Sequence, residues 1–218
     1  MRVPMTPNML KLLKLDLQKT NRSRHDKRLL WATTTICFSG GFRCGEIICE
    51  KPRTFDPDTT LLQRDITLKT IKIQNHQTEI LQIKLKSEKT NKTGTPTITD
   101  IYPSDSSLCP IRAFRKWQDS KTTIDEHLPA FRLENGENLT KKVYNSFLKE
   151  ICGPHLQGYN GYISGHSLRI GLASMLGHLG FSDQEIMASG RWSSRAYQSY
   201  LKLPRTRRLE MARAISRL

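Results

Sequence analysis

The sequence predicts a mainly α-helical domain built around one small three-stranded antiparallel β-sheet. Two patterns among its 218 residues carry that expectation. Apolar residues recur at helical spacing over most of the chain, beginning with Leu10, Leu13 and Leu17. Only over 64–102 does the period shorten to two, as in half-buried strands.

Residues 5–20 read as the first helix, with Thr6 as its N-cap and Pro7 at the first helical position. A second helix over 27–40 is nearly apolar throughout and therefore expected to be buried, and Gly40-Gly41 ends it. Residues 43–48 open a short helix that Pro52 stops. The segments DITLKTIKIQ and TEILQIKLK form two strands joined at Asn75-His76. PTITDIY (96–102) adds a third after a loop rich in Lys, Asn, Thr and Gly. The expected sheet has a basic outer face. Further helices are expected near 110–120, 140–151, 166–179 and 182–189, the last opened by a Ser182/Glu185 capping box. Two basic helices should follow near 194–202 and 205–217. ENGENLT (134–140) and the Gly-rich stretch 152–165 read as loops. No internal repeat is present, and the whole of 1–218 reads as a single domain.

Composition narrows the partners. Lys and Arg number 35 against 20 Asp and Glu, a formal charge of +15, and the pI is about 9.8. That balance points to a polyanion, above all nucleic acid. A membrane partner has no support: no apolar run approaches the roughly 20 residues a spanning helix needs, and no signal-peptide pattern opens the chain. The five cysteines (Cys37, Cys44, Cys49, Cys109, Cys152) form no C-x-x-C pair and have no partnered His spacing. They are expected to be reduced thiols of an intracellular protein, with Cys37 and Cys44 as small core residues and no zinc site.

Six residues spread over about 160 positions could together cleave a phosphodiester without metal. Arg43 follows two glycines between two helices, and its guanidinium suits two non-bridging phosphate oxygens; it also fits an ordinary surface arginine. Glu46 shares a helical face with it, either holding a cation in place or serving as a surface charge. Lys89 falls in the loop between the second and third strands. There it is either a groove-entering acid for the departing 5′ oxygen or one charge in a solvated run, with Lys86 and Lys92 as rivals. Lys84, Lys86, Lys92 and Arg191 are further candidates for DNA contact. His166 and Arg169, three apart at a helix start, are placed to meet a phosphate, although His166 also suits a satisfied core histidine. Trp192 can donate its indole N–H to phosphate or act as a core anchor. Tyr197 and Tyr200 are both candidate nucleophiles. A phenol with its ordinary pKa near 10 needs a base or clustered positive charge to react, and the residues alone do not separate the two.

The phrases GFRCGEI, SEKTNKTG, GHSLRIG and GRWSSRAYQSYL resemble the catalytic domain of tyrosine recombinases, the integrase family. They look most like those of crypton-type eukaryotic mobile elements. Each phrase alone is weak; their order, over about 36–202, carries the resemblance. It implies the tyrosine recombinase catalytic-domain fold. It also implies that Arg43 and Arg169 clamp phosphate, Glu46 supports the first arginine, Lys89 is the general acid, and His166 and Trp192 complete the set. Tyr200 matches the nucleophile better than Tyr197. Many relatives place nine residues between the His/Trp position and the tyrosine; the shorter spacing here is that of relatives with a GRWSS phrase.

The implied activity is site-specific recombination or integration of a mobile element. Double-stranded DNA is cut and rejoined through a 3′-phosphotyrosyl intermediate by a tetramer on DNA, with no cofactor. The implied location is the nucleus if the source is eukaryotic. The N-terminal helical domain that such enzymes use to clamp the far side of the duplex has no counterpart in these residues. Two other readings stay open: a type IB topoisomerase with the same tyrosine chemistry, and a domesticated DNA-binding protein that no longer cuts.

Overall fold

In a computed structural model, residues 1–86, 95–121, 125–158, 160–192 and 194–200 are described. Lys89, Lys92 and the helix expected at 205–217 lie outside them.

Helix α1 (Pro7–Lys19) starts where the sequence places it, with Thr6 Oγ1 accepting from the Met9 N–H at 3.2 Å. Its buried stripe is Leu10, Leu13 and Leu17. Helix α2 (Arg24–Ser39) starts three residues earlier than the apolar run suggests, because Ser23 caps it by accepting from the Asp26 N–H. Its first turn is polar and partly exposed, so apolar spacing could not mark it. From Leu29 to Phe38 every residue is buried. The run Thr33, Thr34, Thr35 is tolerated there because each hydroxyl donates to the carbonyl four residues back, at 2.9, 2.7 and 3.1 Å. Helix α3 (Cys44–Ile47) follows after the glycine pair.

Strands β1 (Ile66–Ile73), β2 (His76–Leu85) and β3 (Thr97–Ile101) form an antiparallel sheet in the order β1-β2-β3. The β1–β2 turn is centred on Gln74 and Asn75, both at positive φ (44° and 69°), and His76 already belongs to β2. Two positive-φ residues between paired strands match the strands' own twist. The register pairs Ile66 with Ile83 and Leu68 with Leu81, and Leu81 with Ile101, on the inner face. The outer face differs from the basic one expected. It holds Lys69 and Lys84, but also a Gln82–Asp100 hydrogen bond and the exposed Ile98.

Helices α4 (Pro110–Gln118), α5 (Lys141–Cys152), α6 (Gly165–His178) and α7 (Asp183–Gly190) complete the core with α1 and α2. The Ser182/Glu185 capping box at the start of α7 is formed. Part of the loop expected after α5 is a 3₁₀ turn, Gly153–Leu156. The helix expected near 194–202 is a 3₁₀ helix, Arg195–Tyr200. Helix α2 is the axis, packing on α4 and α6, while α1 lies on α5. A second, smaller cluster gathers Ala173, Ile186, Trp192 and Tyr197. All five cysteines are free and buried. No helix among the described residues is long and apolar enough to cross a membrane.

Candidate functional site

The end of α2 builds the first part of the site. Gly41 sits at φ +58°, a conformation that favours glycine, and a Cβ there would lie 3.0 Å from both the Gly190 Cα and the Leu172 side chain. The tight turn brings Arg43 to the N-cap of α3. Glu46, three residues on, accepts from the Arg43 backbone N–H at 2.9 Å and from its Nη1 at 2.9 Å. The Glu46 side chain is 5% exposed and that of Arg43 34%. The carboxylate is thus a buried anchor, and one edge of the guanidinium is left to solvent.

The same carboxylate takes a second arginine. Arg191 Nη2 donates to Glu46 Oε2 at 2.8 Å, Nη1 donates to the Gly40 carbonyl at 2.7 Å, and the guanidinium lies 4.4 Å from the centre of the Phe42 ring. Arg191 itself is held at φ +53°, just past the end of α7. The sequence makes it a candidate for DNA contact. Its bonds here also make it a strut between the glycine turn and α3.

Arg169 comes from the first turns of α6 and is 1% exposed. Its Nη1 donates to the carbonyls of Gly41 and Gly190, the latter at 2.5 Å, and its guanidinium stacks 4.2 Å from the centre of the Trp192 ring. Gly190 makes that stacking possible: a Cβ there would fall 1.7 Å from the indole. Trp192 is buried and tilts against Tyr197, with ring centroids 5.5 Å apart.

His166 is half-buried one turn before Arg169. Burial, followed by the nearby charges of Arg2, Arg169 and Arg43, holds its imidazole below its ordinary pKa of 6.5. The shift favours the neutral imidazole, the form that can accept a proton. Arg2 reaches this neighbourhood because residues 1–3 run alongside Tyr162. The Tyr162 N–H donates to the Met1 carbonyl and the Val3 N–H to the Tyr162 carbonyl, each at 3.0 Å. No local pattern announces this pairing, and sequence reasoning missed Arg2.

Of the two tyrosines, Tyr197 is fully buried, and its hydroxyl points to the Asp183 carbonyl at a long 3.5 Å. Burial, with Asp183 adding to it, raises its phenol above the ordinary value. Tyr200 ends the 3₁₀ helix. Among the basic residues proposed from sequence, Lys84 is exposed on β2. Lys86 turns to the protein instead, with its ammonium 2.7 Å from the buried Asp65 carboxylate and donating to the Pro57 carbonyl at 2.9 Å. Among the described residues, no group of three or more His, Cys, Asp or Glu side chains gathers as a metal site would.

The described part of the site thus brings together Arg43, Glu46, Arg169, Arg191 and Trp192, with His166 beside them. Glu46 and three glycine carbonyls, those of Gly40, Gly41 and Gly190, hold the three guanidiniums. Such a cluster suits a tetrahedral oxyanion.

No family model matches the sequence, and no curated protein matches it. Solved structures do share its fold. The XerH site-specific recombinase bound to palindromic difH substrate, a post-cleavage complex, superposes with a TM-score of 0.63 at 14% identity, covering 99% of this chain and 53% of that one. XerA recombinase gives 0.58 at 17% identity, over 97% and 64%. An FLP recombinase–Holliday junction complex gives 0.56 at 15% identity, over 86% and 44%. The chain spans about half the length of the XerH and FLP chains. Its helices and three-stranded sheet have the fold of a tyrosine recombinase catalytic domain.

Proposed function

We propose that this chain is the catalytic domain of a site-specific DNA recombinase or integrase that acts for a mobile element of the crypton type. It breaks and rejoins DNA through a 3′-phosphotyrosyl intermediate. The observation that carries the reading is the arginine cluster: Arg43 and Arg169 held in place by Glu46, the Gly41 and Gly190 carbonyls and the Trp192 ring.

In this mechanism the Tyr200 oxygen attacks the scissile phosphorus. A bond forms between phosphorus and the phenolic oxygen, and the bond to the 5′ oxygen breaks. Neutral His166 accepts the phenolic proton. Arg43 and Arg169 hold the non-bridging oxygens, whose charge grows in the transition state. Lys89 protonates the departing 5′ oxygen, a role that rests on the sequence resemblance alone. Rejoining is the same step reversed by a 5′ hydroxyl. The phosphotyrosine keeps the energy of the broken phosphodiester, so the exchange is isoenergetic. A tetramer on two duplexes is the assembly in which strands change partners.

The test is a library of nicked suicide duplexes of random sequence incubated with the purified chain. The expected result is a denaturant-stable protein–DNA adduct whose peptide map places the nucleotide on Tyr200. No adduct anywhere in the library leaves a binding protein and removes the enzyme. An adduct followed by plasmid relaxation, with no joint product between duplexes, gives the topoisomerase reading instead.

A further inference from the structure

Away from the arginine cluster, α1, α2 and α4 enclose a cavity of about 480 Å³. Six cationic side chains line it: Lys14, Arg24, Lys27, Arg28, Arg112 and Lys116. No Asp or Glu is among its lining residues. None of the six forms an ion pair with a carboxylate among the described residues, where Arg22, Arg53, Arg115 and Lys141 all do. Those of the six that make hydrogen bonds use carbonyls: Lys14 to Ser107, Lys27 to Gln18 and Arg112 to Ser104. Lys14 also lies 5.3 Å over the ring of buried Trp31, which forms part of the wall.

Such a gathering opposes folding. Like charges in a concave, partly desolvated space repel one another, and each would be relieved by a nearby carboxylate. The strain is visible at Lys14, whose pKa is lowered by burial and then by Lys116 and Arg112. An anionic ligand removes that cost. Protein–protein interfaces lose charge at their centres and gain apolar anchors, whereas protein–DNA interfaces are strongly positive throughout. The lining is nearer the second: its aromatic residue is buried in the wall, and six of its eleven residues are cationic with none acidic.

We propose that this cavity is a second DNA-binding surface, which holds backbone phosphates outside the cleavage centre. Helix α2 links the two. The cavity lies along its N-terminal half and Arg43 follows its C-terminal end. At 1.5 Å per residue that separates them by roughly 20 Å, about six base-pair steps at 3.4 Å each. The proposal rests on the DNA-binding part of the function above and on nothing in its chemistry.

The experiment measures DNA affinity against salt for the full chain and for Arg24→Gln/Arg28→Gln/Lys116→Gln, three cations that make no hydrogen bond to the described protein. Each phosphate that the variant leaves unneutralised should flatten the log–log salt slope by about 0.9, so the triple variant should fall short of the parent slope by roughly two to three units. Adduct formation at saturating DNA should stay at the parent rate. The charge-keeping variant Arg24→Lys/Arg28→Lys/Lys116→Arg should retain the parent slope. A photo-crosslinking residue in place of Gln18, which also lines the cavity, should attach to DNA. An unchanged slope in the triple variant, or no DNA crosslink from position 18, overturns the proposal. So does a parent slope combined with abolished binding to poly-glutamate, which would make the surface a dock for acidic protein. If the parent chain forms no adduct while the slope difference persists, the cleavage reading falls and this surface stands.

Discussion

Replacing Glu46 with Gln tests the architecture of the cluster most directly, since the shape stays and one charge goes. Three donors converge on the carboxylate: the Arg43 N–H and Arg191 Nη2 on Oε2, and Arg43 Nη1 on Oε1. A Gln side chain keeps one acceptor oxygen. Placed at the Oε2 position, it still serves the backbone N–H and Arg191, but its NH₂ then faces the Arg43 guanidinium, donor against donor. Arg43 is the group cast loose. A hydrogen bond to a charged group contributes about 1.5–3 kcal/mol. Removing one member of a buried pair costs about 3–5 kcal/mol. The Arg191 pair is well buried, with side chains 15% and 5% exposed, and sits toward the upper end. The Arg43 pair, a third exposed on the arginine side, is screened and worth less. Because Gln retains part of the network, the net loss of unfolding free energy should be about 2–4 kcal/mol. Urea unfolding followed by circular dichroism measures it. A guanidinium displaced by about an ångström slows chemistry roughly a hundredfold, so adduct formation should fall tenfold to a hundredfold with DNA affinity nearly unchanged. A variant with parental stability and parental adduct rate would refute the idea that Glu46 fixes the clamp.

Gly190→Ala should destabilise the chain by about 1–3 kcal/mol, as overpacking does, because its Cβ would meet the indole at 1.7 Å; a shifted Trp192 fluorescence maximum reports the displaced ring. The His166 imidazole should titrate below 6.5 by NMR and move upward in Arg2→Gln, since Arg2 is the first of the charges that lower it. A folded pKa below the unfolded one means the unfolded chain binds more protons in that window. His166 therefore contributes stability above pH 6.5 that is lost as pH falls toward the folded value, and His166→Asn should remove that part of the acid slope. Tyr200→Phe should bind DNA and form no adduct, whereas Tyr197→Phe should keep adduct formation while melting earlier; a nucleotide remnant mapped to Tyr197 would reverse the assignment.

The parts of the fold legible in the sequence are those set by near neighbours. Thr6 with Pro7, the Ser182/Glu185 box and the change of period at 64–102 are all local, and each is where the structure has it. The misplacements come from residues whose local signal is weak. Gln74 is no turn-former, yet the pairing of β1 with β2 holds it at positive φ. Arg24, His25 and Asp26 carry no apolar period, so the first turn of α2 has no signature beyond the Ser23 cap. The sequence reads as a basic outer sheet face, but Asp100 and Ile98 of β3 share it with Lys69 and Lys84. In the site, Arg43 and Glu46 were legible as a pair because three residues separate them. Arg191 stands 145 residues from Glu46, and Arg2 comes to His166 only through the pairing with Tyr162. Both juxtapositions exist only in three dimensions.

The way Arg169 is held bears on what the cluster is for. At Arg169 the orienting is shared by two glycine carbonyls and an indole face. A carbonyl dipole fixes a guanidinium in direction and leaves its charge intact, and the ring quadrupole acts in the same way. Glycine at 41 and at 190 is what lets these carbonyls and the Trp192 ring come so close: at each position a Cβ would meet the opposing turn or the ring. The two glycines that end α2 and α7 are thus also the walls of a charge holder. Under the proposed function, a guanidinium whose direction is fixed in advance needs no reorganisation when charge builds on a phosphate oxygen beside it. The local geometry of Gly41, Gly190 and Trp192 is therefore what fixes the direction of the Arg169 guanidinium, the feature on which the proposed phosphate clamp depends.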